Sequence, residues 1–478
     1  MAYSDFISFI DWDFLKSPLS ITKIVDSTYL PQGEKEIVLE RDAEYNLKGT
    51  LKFQDTKFFP DRQDNIAGKI YDGFDLVASS NDNVTSFKLE HCRLGGFHYP
   101  GGNGFFGSSD LRFNELKIKF SEKTPNRLRE WYLNGPSYHT SIGSTEGKTL
   151  LQCSKERFLS KDKLDSTNNF GICSFSGHYI WGKNSNYKFL IAKVPTDEPN
   201  WSTNLQIEYH NEWGKIPEPD ERLKIEELCS FVFGKHLLSL GYTAYDRDEN
   251  IVEVYAHSPW GHSTKYSCVQ PEFPPVRIHD YPLGDAEKII NYLLPKYIEL
   301  SDCLCLKEAL WNYWISCDIP TGPNLPIIAS ALEAIISNWC KWKKIPSSGL
   351  YMETAEFKEL LHENIESIKK KLETVNNGQK ILDNILSANQ FYVSLTQKYS
   401  VFFDKIKLNV SQAEWEAFAG RHQFVHGLAR FNEIDWEQAI IRKNILDTLF
   451  NKTLLKILEY KWDYIDRSVE GWPDAQLG

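Results

Sequence analysis

The sequence predicts an α+β protein of more than one domain, with a β-rich module of sandwich or barrel type followed by an all-α bundle. Two changes of pattern predict this. Up to about residue 215, short apolar runs are broken by Gly, Asn, Asp and Pro, the punctuation of many short strands. From about residue 284, apolar positions recur at three and four residues over long stretches with short joins, the pattern of packed helices. Residues 216–283 lie between them as an extension that ends in a linker. A chain of 478 residues has ample material for such cores.

In the first part, strands are expected at 36–39, 51–53, 74–77, 86–89, 116–120, 189–194 and 204–209. The clearest is 116–120. Leu116, Ile118 and Phe120 alternate with Glu115, Lys117, Lys119 and Ser121, so one face is dry and the other wet. In the extension, Pro217 to Asp220 open a helix over 221–237, and strands follow at 240–245 and 250–255. The proline-rich run 271–282 reads as an extended linker. Helices are then expected at 285–299, 302–317, 324–343, 353–373, 378–390, 394–407, 411–427 and 434–464.

Two glycine patterns imitate phosphate loops. Gly102, Gly104 and Gly107 spell G-x-G-x-x-G, but a strand pattern rather than a helix follows, so a dinucleotide site is not expected. Residues 143–149, G-S-T-E-G-K-T, are one residue short of the P-loop spacing, with Ile142 before them, and read as a hairpin turn.

The net charge of −11 argues against broad, sequence-blind binding of nucleic acid, so a nuclease here needs a local basic patch or a narrow substrate. Cys303, Cys305, Cys317 and Cys340 fall in apolar helical runs and are expected as buried free thiols. His257, His262 and His279 match no familiar metal-ligand spacing. No metal and no cofactor is expected. No run of eighteen or more apolar residues occurs, and the first residues carry acids rather than a basic leader, so a cytoplasmic protein without a membrane segment is expected.

The chemistry concentrates at residues 414–427, E-W-E-A-F-A-G-R-H-Q-F-V-H-G. Ser411 and Glu414 have the spacing of a capping box, and Trp415, Phe418, His422 and Val425 mark a buried side. Arg421 and His426 follow. A His can exchange the proton of a ribose 2′-OH near neutral pH, and an Arg can stabilise the charge of a phosphorane, so no metal is needed. On a straight helix the two residues stand roughly 140° apart. Either the helix ends or bends near Gly427, or a second copy completes the site. The spacing is weak evidence alone, because Arg93 and His98 share it in a strand-like region. The plainer alternatives are a surface Arg421 and a His426 favoured by a helix C-terminus. His422 and His426 at i,i+4 imitate a zinc helix, but Gln423 cannot act as a base and no third ligand is evident.

The segment R-H-Q-F-V-H-G-L-A-R in a helical domain resembles the HEPN superfamily. The amino-terminal half resembles that of ApeA-like anti-phage proteins, through L-K-G-T-L-K-F near residue 50, T-S-F-K-L-E-H-C-R-L at 85–94 and L-R-F-N-E-L-K-I-K-F-S-E at 111–122. The resemblance implies a β-rich ApeA-type domain over 1–215 and a HEPN bundle over 284–478. It also implies a homodimer or higher homo-oligomer with catalytic Arg421 and His426, and cleavage of cellular RNA that halts an infected cell. His422 stands where many members have Asn or Asp, and is a candidate for proton transfer or RNA contact.

tRNA is the expected substrate, since in-line attack needs a flexible ribose. The amino-terminal module would restrain the nuclease until a phage-derived trigger appears. Glu333, an acid among apolar residues, either orients Arg421 or lies exposed at the edge of its helix. Lys341, Trp342, Lys343, Lys344 and Arg430 are candidates for RNA contact, against the plainer reading of a solvated face. The rival function is a binding protein, with the bundle as a dimerisation platform and the β-rich module holding a ligand.

Overall fold

The computed structural model describes residues 15, 18–25, 29–42, 44–54, 73–80, 84–98, 107–136, 180–193, 204–259, 272–278, 284–346, 348–392, 394–420 and 435–477. The chain divides into two compact units, Met1–Ile298 and Glu299–Gly478.

In the first unit the strands are β1 (Leu19–Ile21), β2 (Lys23–Ile24), β3 (Lys35–Arg41), β4 (Leu47–Phe53), β5 (Phe74–Ser79), β6 (Ser86–His98), β7 (Gly107–Arg112) and β8 (Glu115–Lys119). They continue with β9 (Arg127–Tyr132), β10 (Ile180–Lys183), β11 (Lys188–Lys193), β12 (Leu205–His210), β13 (Ser239–Tyr245) and β14 (Ile251–His257). All join one antiparallel sheet in the order β1-β3-β4-β7-β6-β8-β14-β13-β9-β12-β11-β10, and β5 pairs with both β2 and β6.

The long strand β6 lets this sheet fold on itself. Its first residues pair with β5 and β8, and its last with β7. His91 between them has φ of 56°. The two limbs bury a shared core: Ile37, Leu39, Leu51 and Leu111 on one side, Leu76, Leu89, Leu116 and Ile118 on the other. The strict alternation expected at 115–119 is present, with Leu116 and Ile118 fully buried.

The hairpin of β13 and β14 lies within the sheet, between β8 and β9. Residues 239–257 therefore share their ladders with strands far earlier in the chain. α1 (Pro219–Phe233) starts with Pro at its first turn, with the Glu221 carboxylate accepting the Glu218 N–H at 3.1 Å. It stops at Gly234, whose φ of 66° suits a left-handed cap. That is earlier than the expected end at 237. The linker stretch is tied down where it is described: Phe273 N–H donates to Gly234 O at 2.8 Å, and Val276 is buried.

α2 (Gly284–Leu304) contains Pro295 without ending there, and the division between units falls within it. Its first turns belong to the sheet unit. Asn291 and Glu287 accept from the Lys183 and Trp181 N–H groups of β10, and Tyr297 OH donates to Glu227 of α1 at 2.8 Å.

The second unit is helical: α3 (Leu306–Asp318), α4 (Asn324–Trp342), α5 (Thr354–Leu372), α6 (Gly378–Leu386), α7 (Leu395–Ile406), α8 (Gln412–Ala419) and α9 (Trp436–Ile457). Two small hairpins accompany them, β15 (Ser348–Leu350) with β16 (Gln390–Tyr392), and β17 (Tyr464–Ile465) with β18 (Asp474–Ala475). Ile328, Ala329, Leu332, Ile335 and Ile336 of α4 and Leu446, Phe450 and Leu454 of α9 form the buried spine.

The fold class is the one the sequence predicts, a large antiparallel β region followed by an all-helical region. No helix among the described residues is long and apolar enough to cross a membrane.

The thiols differ from expectation. All four are free, but only Cys340 is buried; Cys303, Cys305 and Cys317 are partly exposed. Cys303 lies in the last turn of α2, Cys305 is the single residue between α2 and α3, and Cys317 lies in the last turn of α3, where helix ends leave side chains less covered. Of the glycine decoys, Gly107 belongs to β7, and a Cβ there would come 2.5 Å from the Phe53 ring. Close packing explains that glycine. Gly102, Gly104 and residues 143–149 lie outside the described residues.

Candidate functional site

α8 is the helix that leads to the expected catalytic pair. Ser411 caps it: its Oγ accepts the Glu414 N–H at 3.3 Å, and the Glu414 carboxylate accepts the Ser411 N–H at 2.7 Å. This is the capping box the sequence spacing predicts. Glu414 has a second partner that the spacing does not reveal. Its other oxygen lies 2.6 Å from Lys452 Nζ of α9, and both side chains are at least nine-tenths buried. Lys452 also donates to Asn409 O at 3.1 Å. One buried ion pair therefore fastens the start of α8 to α9 and to the loop before it.

Aromatic contacts also hold this helix. Trp339 of α4 meets Phe402 of α7 edge-on at 5.2 Å, and Phe402 meets Phe403. Phe403 then meets Trp415 of α8 at 5.7 Å, and Tyr399 meets Phe418 at 5.0 Å. α8 is described over Gln412–Ala419 with Gly420 as its cap, and residues 421–427 of the expected helix 411–427 lie outside the described residues.

Arg421, His422, His426 and Arg430 lie outside the described residues. The structure describes the support of this segment up to Gly420. A Cβ at Gly420 would stand 3.3 Å from Arg442 Nη1 of α9. The Arg442 guanidinium thus reaches the end of α8. Nothing in its own stretch of sequence singles Arg442 out.

Glu333 is half-buried on α4, so its helix neither hides nor fully exposes it. Arg421, which it was expected to orient, is outside the described residues. Lys341, Trp342, Lys343 and Lys344 are exposed at the end of α4. The Lys343 ammonium sits 3.6 Å from the centre of the Trp342 ring. One face of that indole is therefore taken by a cation and is not open to a base. Lys369 pairs with Glu366 on the exposed side of α5, as a solvated helix face does. His257 faces Ser239 Oγ at 3.1 Å and the Ser258 carbonyl at 3.3 Å, while His262 and His279 lie outside the described residues.

A second cluster, in the sheet unit, escaped the sequence reading. Asn204 and then Gln206, Glu208 and His210 of β12 alternate with Leu205, Ile207 and Tyr209. Alternation alone assigns the polar set to water. All seven are buried. Arg129 of β9 pairs with Glu208 at 3.0 Å, and Arg127 lies 3.8 Å from the centre of the Tyr245 ring and pairs with Glu249. His210 Nδ1 accepts the Glu212 N–H at 3.0 Å, and its Nε2 lies 3.3 Å from the Asn126 amide. Burial holds the imidazole below its ordinary pKa; Glu212 and Glu208 oppose that and Arg127 adds to it.

The opposite face of the same strands carries another network. Glu130 accepts from Arg222 at 2.7 Å and from the Tyr132 and Tyr209 hydroxyls. Burial and the adjacent Glu130 raise both phenols well above their ordinary range.

No family model, curated protein or solved structure matches this chain.

Proposed function

We propose that the chain is a metal-independent endoribonuclease acting on cellular RNA, with tRNA as the preferred class, in anti-phage defence. The observation that carries this reading is the R-H-Q-F-V-H segment at 421–426, directly after a helix fastened by a capping box and a buried ion pair inside an all-helical unit. Sites that must hold geometry are supported in this way by rigid elements.

His426 removes the proton from a ribose 2′-OH, the 2′-oxygen attacks phosphorus, and the P–O5′ bond breaks. The leaving 5′-oxygen takes a proton from an imidazole, His422 or the His426 of a second copy. Arg421 stabilises the phosphorane charge, and the products are a 2′,3′-cyclic phosphate and a 5′-OH end. A homodimer places the Arg421 of one chain near the His426 of the other.

The test is incubation of purified protein with total RNA in EDTA, followed by mapping of cyclic-phosphate ends, with and without extract of infected cells. Arg421→Ala and His426→Ala should each lower cleavage by about a hundredfold or more. If wild type leaves RNA intact in both conditions, the binding-protein reading replaces this one.

A further inference from the structure

The helices of the second unit fall into two groups. α4 packs with α3, α7 and α9, and α8 packs with α9, whereas α5 and α6 pack on each other. α5 is amphipathic: Phe357, Leu361, Ile365, Ile368 and Leu372 recur at three and four residues and are half-buried. Among the described side chains of α5 none is fully buried. Large apolar side chains stand in the open on and beside this helix pair, with Tyr351 72 %, Leu360 65 % and Leu386 48 % exposed. A helix gains most of its stability from what covers its apolar side chains.

One stripe of α5 shows what cover fits. Glu356, Leu360, Asn364, Ser367 and Lys371 also recur at three and four residues, so they share a face, and all five are exposed. Charge is divided along the helix. Residues 353–359 hold Glu353, Glu356 and Glu359 against Lys358, and residues 369–373 hold Lys369, Lys370 and Lys371 against Glu373. Each end complements the helix's own dipole. The two ends also complement each other when two such helices run antiparallel.

We propose that this face of α5 docks on the same face of a second copy of the chain, antiparallel about a two-fold axis near Asn364. In that register Glu356 of each copy lies opposite Lys371 of the other. Leu360 lies opposite Ser367, whose small side chain leaves room for it. The two Asn364 side chains meet near the axis, where a polar pair fixes the register. The contact is isologous, so each pairing occurs twice. With 19 residues, α5 is about 28 Å long. Two such helices make an interface at the small end of specific ones, so the dimer should dissociate on the order of 10 µM. The pairing follows from exposure, spacing and charge, and does not depend on the ribonuclease reading.

The test is sedimentation velocity of the full-length protein from about 1 to 200 µM, over which wild type should pass from monomer to dimer. Leu360→Asp puts a carboxylate at an exposed position without touching the core, and should raise the dissociation constant about tenfold or more. Glu356→Lys and Lys371→Glu place like charges opposite each other at both ends, and should each raise it about threefold or more. The double variant Glu356→Lys/Lys371→Glu should return to within about twofold of wild type, a rescue that requires a mate carrying the same exchange.

Wild type that stays monomeric throughout overturns the interface. So does a dimer that none of the three single variants weakens, with melting temperatures like wild type. A double variant no better than the singles also overturns it, because the mate is then not a second α5. A monomer that cleaves RNA removes this interface and keeps the ribonuclease reading. A dimer that behaves as stated and cleaves none does the reverse.

Discussion

Glu414 joins two kinds of interaction in one carboxylate. It completes the cap of α8 with Ser411 and neutralises Lys452 in a place with almost no water. Removing one partner leaves a buried charge uncompensated, at a cost of about 3–5 kcal/mol. Lys452→Met alone and Glu414→Gln alone should each lower stability by that order in denaturant melts. The double variant Glu414→Gln/Lys452→Met should recover most of the loss, since Gln still accepts the Ser411 N–H. Single variants within about 1 kcal/mol of wild type would show that water reaches the pair.

His210 gives the sheet unit a pH dependence. Its folded pKa lies below the ordinary 6.5, chiefly because burial disfavours the charged ring. As pH falls past 6.5 the unfolded chain binds the proton first. The contribution of this group is complete above that value and is lost as pH falls through the folded one. Melting temperature should therefore drop as pH falls below 6.5, and His210→Gln should flatten that slope. An unchanged slope would assign the acid sensitivity to other groups. The sequence shows Glu414 as half of a capping box but not its tie to Lys452, and nothing local marks His210 as buried.

At the scale of elements, most strands and helices were legible because their signals are local. The alternation at 115–119, the cap at Ser411 and the turn-prone 246–250 between β13 and β14 act within a few residues. β12 was legible as a strand but not as a buried one. Its polar side chains meet Arg129 and Asn126, from a strand and a loop far earlier in the chain.

Gly241 is a similar case on β13. Its φ is 123°, and a Cβ would stand 1.9 Å from the Tyr255 carbonyl oxygen of β14. Backbone cannot give way there as a side-chain tip can. Gly241→Ala should cost about 2 kcal/mol or more in urea melts. Gly33→Ala makes the comparison, since φ there is 81° but nothing lies within 4 Å. It should cost only the conformational strain, about 1 kcal/mol. Equal losses in the two variants would mean that the β13–β14 ladder relaxes around the methyl.

For the whole molecule, a net charge of −11 sets a limit on any nucleic-acid chemistry. Such chemistry would need a few placed cationic groups, because the field of the chain repels phosphate at long range. The sequence by itself determined the division into a β-rich and a helical region, the cap that opens α8, and the R-H-Q-F-V-H segment after it. These depend on periodicity and short spacing, which a single chain displays directly. Only the tertiary structure decided that β13 and β14 enter the middle of the sheet, that the polar side of β12 is dry, and that Glu414 answers to Lys452. Those facts are pairings between distant residues, and burial is a property of what covers a side chain rather than of the side chain itself.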